Sequence, residues 1–148
     1  WREIIMRAQS FAGTGSLLIT TSRRTPKEAL DLVKVMVQKP HFLYAWDVGK
    51  DNPYYGILGL ADGIIVTGDS LSMCAEACVS GKPVFIYSSD KTIPAKHRGL
   101  HAALYARGLA KPLSGMVRMD WQPKEALDDA GRVADEIRKR FPEAFVGV

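Results

Sequence analysis

The sequence predicts an α/β fold in which helices cover both faces of a doubly wound parallel sheet, giving three layers, α/β/α. Short apolar segments rich in β-branched residues recur along the 148 residues and are typical of buried strands. Segments with helical spacing and helix-start or helix-stop residues separate them. Strands that alternate with helices pair in parallel, and ligands of such sheets bind beyond the carboxyl ends of the strands. Functional residues are therefore expected directly after the predicted strands.

Helical and extended patterns alternate in the first half of the chain. Residues 1–10 have helical spacing, and an apolar strand is predicted at residues 17–21. Thr25, Pro26 and Glu28 stand at the positions of an N-cap, a first helical residue and a capping-box acid, so they predict the start of the next helix. The remaining predictions for this half are a strand at 42–46, a polar turn at 47–52, and a helix from Pro53 to Leu60 in which Gly56 and Gly59 allow close packing.

The second half contains a regular strand-helix-strand unit. Residues 63–66 predict a buried strand, residues 70–79 a helix, and residues 82–87 the next strand. Ser80 and Gly81 are the predicted stop of the helix. The elements predicted after this unit are a loop at 88–94, a helix at 95–107 that stops at Gly108, a short strand at 109–113 and an amphipathic helix from Pro123 to Arg140.

The turn inside this unit has the features of an anion site. A helix that begins just past a strand presents unpaired N–H groups and the positive end of its dipole. Gly68 allows close approach, and the hydroxyls of Ser70 and Ser72 add donors. Glu76 lies one turn beyond Ser72, where its carboxylate can accept hydrogen bonds from a vicinal diol, so the group predicts a nucleotide site. In the alternative interpretation, Asp69 or Ser70 only caps the helix and Glu76 is a solvated surface residue.

Further polar residues are expected at the same edge of the sheet. Arg23 and Arg24 follow the first strand, where one of them can pair with a pyrophosphate or both can be solvated in a turn. Lys96 and His97 begin the helix after the fourth strand and can contact a sugar or a phosphate. His101, one turn later, is expected to be a packing or surface residue.

Two aromatic residues stand on either side of the polar turn at 47–52. Trp46 and Tyr54 can flank a nucleobase, or they can belong to the core. The sequence leaves both alternatives open.

Composition limits the function classes. The net charge of +4 is spread along the chain, so a small anionic ligand accounts for it and no nucleic-acid partner is expected. A hydrophobic content of 47% in 148 residues suffices for one core and hence one domain.

Cys74 and Cys78 are one helical turn apart with no neighbouring Cys or His to complete a zinc site, so we expect reduced thiols and no metal. No stretch approaches the roughly twenty apolar residues of a membrane span. The start at Trp1, without an initiator Met or a signal peptide, predicts a piece of a longer protein.

These motifs resemble two known groups of proteins. Residues 67–77, followed by residues 81–84, are similar to the donor-site signature of GT-B glycosyltransferases, including the family that adds N-acetylglucosamine to the peptidoglycan lipid precursor. The chain resembles more closely the mitochondrial-fission ELM family, whose bacterial members are described as nucleoside-diphosphate-sugar epimerases or glycosyltransferases. That likeness spans roughly residues 16 to 140 and is carried by residues 20–26, 52–54, 67–70 and 97–98.

The resemblance implies that residues 1–148 form one Rossmann-like, nucleotide-sugar-binding domain, the C-terminal half of a GT-B protein. No catalytic residue is assigned here, because the acceptor-binding N-terminal domain, expected before Trp1, supplies the base in that fold. Asp69 departs from the pattern, since it puts a negative charge beside the expected phosphate. The implied ligand contacts are Arg23 or Arg24, Gly68, Ser70 and Ser72 for the diphosphate, Glu76 for the ribose, and Lys96 and His97 for the donor sugar.

The same resemblance sets the expected partners. They are a nucleoside-diphosphate-sugar substrate without a further cofactor, the protein's own N-terminal domain, and a membrane-associated acceptor. The expected location is the cytoplasm, with peripheral contact to a membrane as a variant. Two other functions stay open: epimerisation of a nucleotide sugar, which needs acid and base groups on both faces of the sugar, and a non-catalytic interaction module like the plant members that recruit the fission machinery.

Overall fold

Helices and strands alternate along the chain. The structure, a computed structural model, describes residues 1–38, 40–47, 50–88, 93, 95–114 and 120–145. The strands are β1 (Leu17–Thr20), β2 (His41–Tyr44), β3 (Ile64–Thr67), β4 (Val84–Tyr87) and β5 (Lys111–Pro112). The helices are α1 (Arg2–Ala12), α2 (Lys27–Met36), α3 (Tyr54–Leu60), α4 (Leu71–Val79), α5 (Ala95–Ala106) and α6 (Asp129–Arg140), followed by a 3-10 turn at Pro142–Phe145. The predicted loop at 88–94 lies outside the described residues except for Ser88 and Ile93.

All strand pairs are parallel, and the open α/β class is confirmed. β1 pairs with β2, and β4 lies between β3 and β5. Among the described residues, the strands form two sheets, β1-β2 and β3-β4-β5, where the sequence predicts one. Residues of β1 and β3 both line a cavity of about 540 Å³, together with residues of α1 and α3. The single predicted sheet is thus divided at this cavity, because no ladder hydrogen bonds join β1 to β3 in the described part of the chain.

Side chains of β4 alternate between two helical layers. The ring of Phe85 packs against Phe11 of α1, with 5.2 Å between ring centroids, and against Trp121 at 5.8 Å. Its neighbours Val84 and Ile86 are buried in the main core cluster, which also contains residues of α4 and α5. Successive residues of a strand point to opposite faces, so this sheet carries α1 on one face and α4 and α5 on the other. The three-layer arrangement follows from this alternation.

The predicted start of α2 is wrong. The Thr25 hydroxyl accepts a hydrogen bond from the backbone N–H of Ser22 at 3.0 Å, so it is engaged in the preceding turn and does not cap the helix. Pro26 has an extended backbone and stands at the N-cap position, and α2 begins at Lys27. The hydrogen bond from Ser22 to the Thr25 hydroxyl therefore forms in place of the expected capping box.

The predicted start of α6 at Pro123 is also wrong. An Asp128 carboxylate oxygen accepts a hydrogen bond from the N–H of Gly131 at 2.8 Å, which caps the helix so that it begins at Asp129. Just before this cap, buried Leu127 donates its N–H to the carbonyl of Cys78 at 3.0 Å. Residues 123–128 thus run as a non-helical segment anchored to α4.

The two glycines of α3 do not serve close packing as expected. A Cβ at Gly56 or Gly59 would meet no described atom within 4 Å, so that face of α3 is open. The helix packs elsewhere through Ile57, which is buried, and Leu58, which contacts the core cluster. At its end, the Lys82 ammonium donates to the carbonyl of Leu58 at 3.0 Å and to that of Gly59. A cation at a helix C-terminus satisfies carbonyls that lack partners within the helix.

Candidate functional site

The β3-α4 turn (residues 68–70) holds the start of α4 over the end of the sheet. The N–H of Gly68 donates to the carbonyl of Tyr87, the last residue of β4, at 2.9 Å. Ser70 is the N-cap residue of α4, as predicted, but neither its own nor another described side chain makes a capping hydrogen bond there. Its buried hydroxyl lies 3.5 Å from that of exposed Ser72. The first N–H groups of α4 are thus left for an external acceptor, which is the geometry of an anion site.

Asp69 stands beside this helix start and is exposed. Since Ser70 occupies the N-cap position, the alternative in which Asp69 caps α4 is wrong. Burial raises the pKa of the Cys74 thiol to about 12, with smaller contributions from Cys78 and from the charge of Asp69. The Asp69 carboxylate therefore acts electrostatically on the first turns of α4 and opposes an anion there.

His101 of α5 packs against the β3-α4 turn. Its side chain is buried, 4% exposed, and its ring packs against Gly68, since a Cβ built on that glycine would lie 2.7 Å from Cε1 of His101. Its Nε2 lies 4.0 Å from the sulfur of Cys74. Burial lowers the pKa of His101, and the charge of His97 lowers it further, whereas the backbone of Gly68 acts in the opposite direction. The expected packing role of His101 is confirmed, and its neighbours are the residues of the β3-α4 turn.

Lys96 and His97 lie in the first turn of α5. Lys96 is exposed, and His97 is half-buried. Residues four apart share a helix face, so His97 lies on the same side of α5 as His101. The Nδ1 atom of His97 is buried and has no hydrogen-bond partner within the described ranges. His97 therefore lies on the side of α5 that packs against the β3-α4 turn through His101, and Lys96 is exposed to solvent.

Arg23 and Arg24 occupy the tip of a tight turn after β1. The N–H of Thr25 donates to the Ser22 carbonyl at 2.9 Å, and the N–H of Arg24 donates to the Ser22 hydroxyl at 3.2 Å. Both arginines are exposed, and neither forms an ion pair with another described residue. Their role toward a pyrophosphate stays a prediction.

Glu76 of α4 lies close enough to Tyr54 of α3 for its charge to act on the phenol. Both side chains are half-buried, so Glu76 is not the freely solvated surface residue of the alternative interpretation. Burial first, and then the charge of Glu76, raise the pKa of Tyr54, so the phenol stays protonated. Trp46, the other aromatic residue considered, is exposed and does not belong to the core.

The predicted site residues form two groups. Gly68, Asp69, Ser70, Ser72 and Glu76 belong to the β3-α4 turn and α4, and the face of α5 that carries His97 packs against that turn. Arg23 and Arg24 belong to the other sheet. The cavity between β1 and β3 is lined by Ser22 and Thr25 on one side and by Thr67 and Met73 on the other, and its described lining contains no residue of either group. The structure therefore does not bring the two groups together at this cavity.

Cys74 and Cys78 are free and buried on the inner face of α4, as predicted. Burial raises the pKa of Cys78 to about 11, although Arg107 acts in the opposite direction. Among the described residues, no group of three or more His, Cys, Asp and Glu side chains is placed to hold a metal ion. The described helices also include none with the length and apolar character needed to cross a bilayer.

The sequence patterns do not predict two contacts of the described chain. They mark His101 as a packing or surface residue but not as a neighbour of Gly68, and they assign Lys82 no contact at the end of α3. The spacing of His97 and His101 is a local signal, because residues four apart lie on one face of the helix after the fourth strand. The partners of Lys82 are 23 and 24 residues away in sequence and have no local signature.

Comparison with known proteins decides the family. The family model described as "Mitochondrial fission ELM1" matches residues 2–141, which include every predicted site residue. The chain belongs to the ELM1 family. It is 33% identical over 133 residues to the mitochondrial fission protein ELM1 of Arabidopsis thaliana, an alignment that covers 88% of this chain and 30% of the plant protein. It is 32% identical over 123 residues to the uncharacterized protein RP120 of Rickettsia prowazekii (strain Madrid E), covering 81% of this chain and 35% of that protein.

This ELM1-family chain thus spans about a third of the length of the curated relatives it matches. No solved structure matches it.

Proposed function

We propose that this ELM1-family domain binds a nucleoside-diphosphate-sugar and is the donor-binding half of a GT-B glycosyltransferase. The observation that carries the proposal is the start of α4, where the N–H groups have no side-chain cap among the described residues and Ser70 and Ser72 stand beside them. Glu76 follows one turn after Ser72 on the same helix face. An anion-binding helix start with a carboxylate one turn away fits a diphosphate joined to a ribose.

The residues take separate parts in this proposal. The N–H groups of α4 and the hydroxyl of Ser72 bind the diphosphate, with Arg23 or Arg24 reaching it from the turn after β1. Glu76 binds the ribose diol. His97 and Lys96 approach from α5 and contact the donor sugar or its phosphate.

The proposed reaction is transfer of the sugar to an acceptor hydroxyl. The acceptor oxygen forms a bond to the anomeric carbon, the bond from that carbon to the diphosphate oxygen breaks, and its electron pair leaves with the nucleoside diphosphate. The dipole of α4 and the basic side chains stabilise this leaving group. The acceptor proton goes to a base outside this domain, as the resemblance to GT-B enzymes implies.

A non-catalytic interaction module is the second candidate. It is favoured by the name of the Arabidopsis relative, a mitochondrial fission protein, and by the apolar side chains that α3 exposes. Tyr55 is 72% and Leu60 is 78% exposed, next to two glycines that leave the helix face open. In this alternative, α3 contacts a protein partner and the β3-α4 turn binds no nucleotide.

Thermal unfolding with nucleotides separates the two candidates. UDP, GDP, CMP and ADP are added in turn to the wild type, to Glu76→Ala and to Glu143→Ala, which removes an exposed carboxylate in the 3-10 turn at Pro142–Phe145. A nucleotide at about a hundred times its Kd stabilises the folded chain by about 2.7 kcal/mol, so a clear rise in Tm is expected for the wild type and Glu143→Ala. Glu76→Ala should lose most of that rise. If no nucleotide raises the Tm of the wild type, or if Glu76→Ala responds like the wild type, the donor-site proposal is wrong.

A further inference from the structure

One edge of β1 faces the cavity between β1 and β3. On the opposite edge, the N–H groups of Leu17 and Thr21 donate to carbonyls of the segment 40–44, which contains β2, at 3.2 and 3.1 Å. Successive residues of a strand present their backbone N–H and C=O groups to alternate edges. The backbone groups of Leu18 and Thr20 therefore point away from β2, and both residues line the cavity.

β3 presents the corresponding edge from the other side. The N–H of Ile64 donates to the carbonyl of Pro83 at 2.8 Å, so Ile64 faces β4. The next residues in the alternation, Ile65 and Thr67, also line the cavity. The Thr67 carbonyl accepts a long bond from the Cys74 thiol at 3.8 Å, and no ladder hydrogen bond joins β1 to β3 in the described part of the chain. Two rows of backbone donors and acceptors thus face one cavity.

The other walls of the cavity are apolar helix faces. A parallel strand between two helical layers is usually buried, as residues 84–86 of β4 are, yet all four residues of β1 are half-buried. This difference is the mark of open space beside β1. Any occupant of that space meets apolar side chains above and below the sheet. They include Ile5, Ala8 and Phe11 of α1, Ile57 of α3, and Met73 and Ala77 of α4.

We propose that the cavity between β1 and β3 binds an extended apolar peptide segment of a partner protein, which adds a strand there and joins the two sheets. Buried backbone groups without hydrogen-bond partners are costly. An extended peptide carries N–H and C=O groups on both of its edges and side chains on both of its faces. A purely aliphatic ligand fills the same space but leaves both rows of backbone groups unpaired.

The dimensions of the cavity suit this occupant. Its volume of about 540 Å³ lies within the range of about 300 to 1,000 Å³ that ligand sites occupy. β1 and β3 are each four residues long, so a segment of similar length pairs with both. Because helices cover both faces, the segment should be a continuous apolar run and not an alternating one.

A partner protein fits better than a second copy of this chain. Each of the five described strands is already paired within its own sheet. A second copy would have to withdraw one of these strands and lose ladder hydrogen bonds that it already has. An unpaired segment of another protein loses only bonds to water.

The experiment uses acetylated, C-terminally amidated peptides in calorimetric titrations. Each has four apolar residues, an Ile-Val, Leu-Val or Phe-Val repeat, followed by two lysines for solubility. Each repeat is also made with N-methyl groups on the first and third residues, and with N-methyl groups on the second and fourth. N-methylation keeps the side chains and removes the N–H donors of one edge. Because the inserted strand uses both edges, either modification should weaken binding by about ten- to a hundredfold.

A cavity-filling variant tests the location. Ala8→Trp places a large ring in the cavity, and Ala130→Trp is the matched control on exposed α6. Ala8→Trp should abolish peptide binding, while Ala130→Trp binds like the wild type. Circular dichroism checks that both variants fold, and the N-methylated peptides test the wild type independently of them.

Amide exchange followed by NMR reports on the same edges. In the free wild type, the amides of Leu18 and Ile65 should exchange faster than those of Leu17 and Ile64, which are bonded in the ladders. Bound peptide should remove this difference, because it gives the first two amides acceptors.

Every other result overturns the proposal in its own way. If both N-methylated forms bind as well as the unmodified peptide, the cavity is an apolar pocket and no strand is added. If only one form loses binding, the peptide pairs with a single outer edge, that of β2 or β5. If no repeat binds, the proposal is wrong, and slow exchange of Leu18 and Ile65 in the free chain would then show that β1 and β3 pair directly. A peptide-free dimer that Ala8→Trp abolishes, seen by sedimentation, would make a second copy the occupant.

Discussion

The ring of His101 occupies the space that a side chain on Gly68 would need. A Cβ built on Gly68 would lie 2.7 Å from Cε1 of His101, 2.9 Å from Cδ1 of Ile93 and 3.1 Å from Cγ2 of Ile86. The backbone of Gly68 has no positive φ, so glycine is required here for space and not for its conformational freedom. This close approach lets α5 pack against the β3-α4 turn through the helix face that carries His101.

Gly68→Ala should therefore destabilise the fold by about 1 to 3 kcal/mol, the usual cost of forcing a methyl group into a packed interior. Urea denaturation followed by circular dichroism measures this. Gly99→Ala is the control, because a Cβ at that α5 position meets no atom within 4 Å and alanine favours a helix. His101→Ala should recover part of the loss in the double variant, since it vacates the space. An unchanged urea midpoint in Gly68→Ala would show that the turn relaxes freely.

The stability of the domain should fall on acidification because of His101. Burial lowers the pKa of this histidine in the folded chain, whereas the unfolded chain has the ordinary value of about 6.5. Below that pH, the unfolded state binds a proton that the folded state resists, so the free energy of unfolding decreases as the pH falls. His101→Gln should show a shallower decrease in urea midpoint between about pH 7 and pH 5, even if it is less stable at neutral pH. Equal slopes in the two proteins would contradict this assignment.

The strands were predictable because the composition of each segment and the turn that follows it are local features of the sequence. The run from Ile64 to Thr67 is apolar, β-branched and followed by a glycine turn, and such a segment has few alternatives to a buried parallel strand. Helix starts were less predictable, since capping is a competition between acceptors. Thr25 is a residue type that often caps helices, yet its hydroxyl accepts a hydrogen bond from the N–H of Ser22. Whether this bond forms depends on how the turn after β1 folds.

The candidate site also combines features that the local sequence predicts with features that depend on tertiary packing. Ser70 was predictable as the start of a helix after a strand, because that position follows from the order of elements alone. The contact of Lys82 with the carbonyls at the end of α3 was not, because it depends on how α3 packs beside the segment that leads into β4. The division of the sheet at the cavity was equally hidden, since the sequences of β1 and β3 do not state whether the two strands touch.

The two cysteines should be inert toward thiol reagents in the folded protein. Burial is the main cause that raises the pKa of Cys74 to about 12 and that of Cys78 to about 11, so almost no reactive thiolate exists at pH 8. Labelling with a chromogenic disulfide reagent should be slow in native buffer and should reach both thiols in concentrated guanidinium chloride. Rapid labelling of either cysteine in native buffer would mean that α4 is more accessible than its packing indicates.

Lys82 should stabilise the domain through the end of α3. Its ammonium donates to the carbonyls of Leu58 and Gly59, and hydrogen bonds that involve a charged group contribute more than neutral ones. Lys82→Met keeps most of the aliphatic stem and should lower the free energy of unfolding by about 1 to 2 kcal/mol in urea denaturation. Lys27→Met is the matched control, because Lys27 is exposed and its ion pair within the described residues is with Asp31 on its own helix, so its loss should change stability much less. Equal effects of the two substitutions would indicate that the carbonyls at the end of α3 are satisfied by solvent once Lys82 is removed.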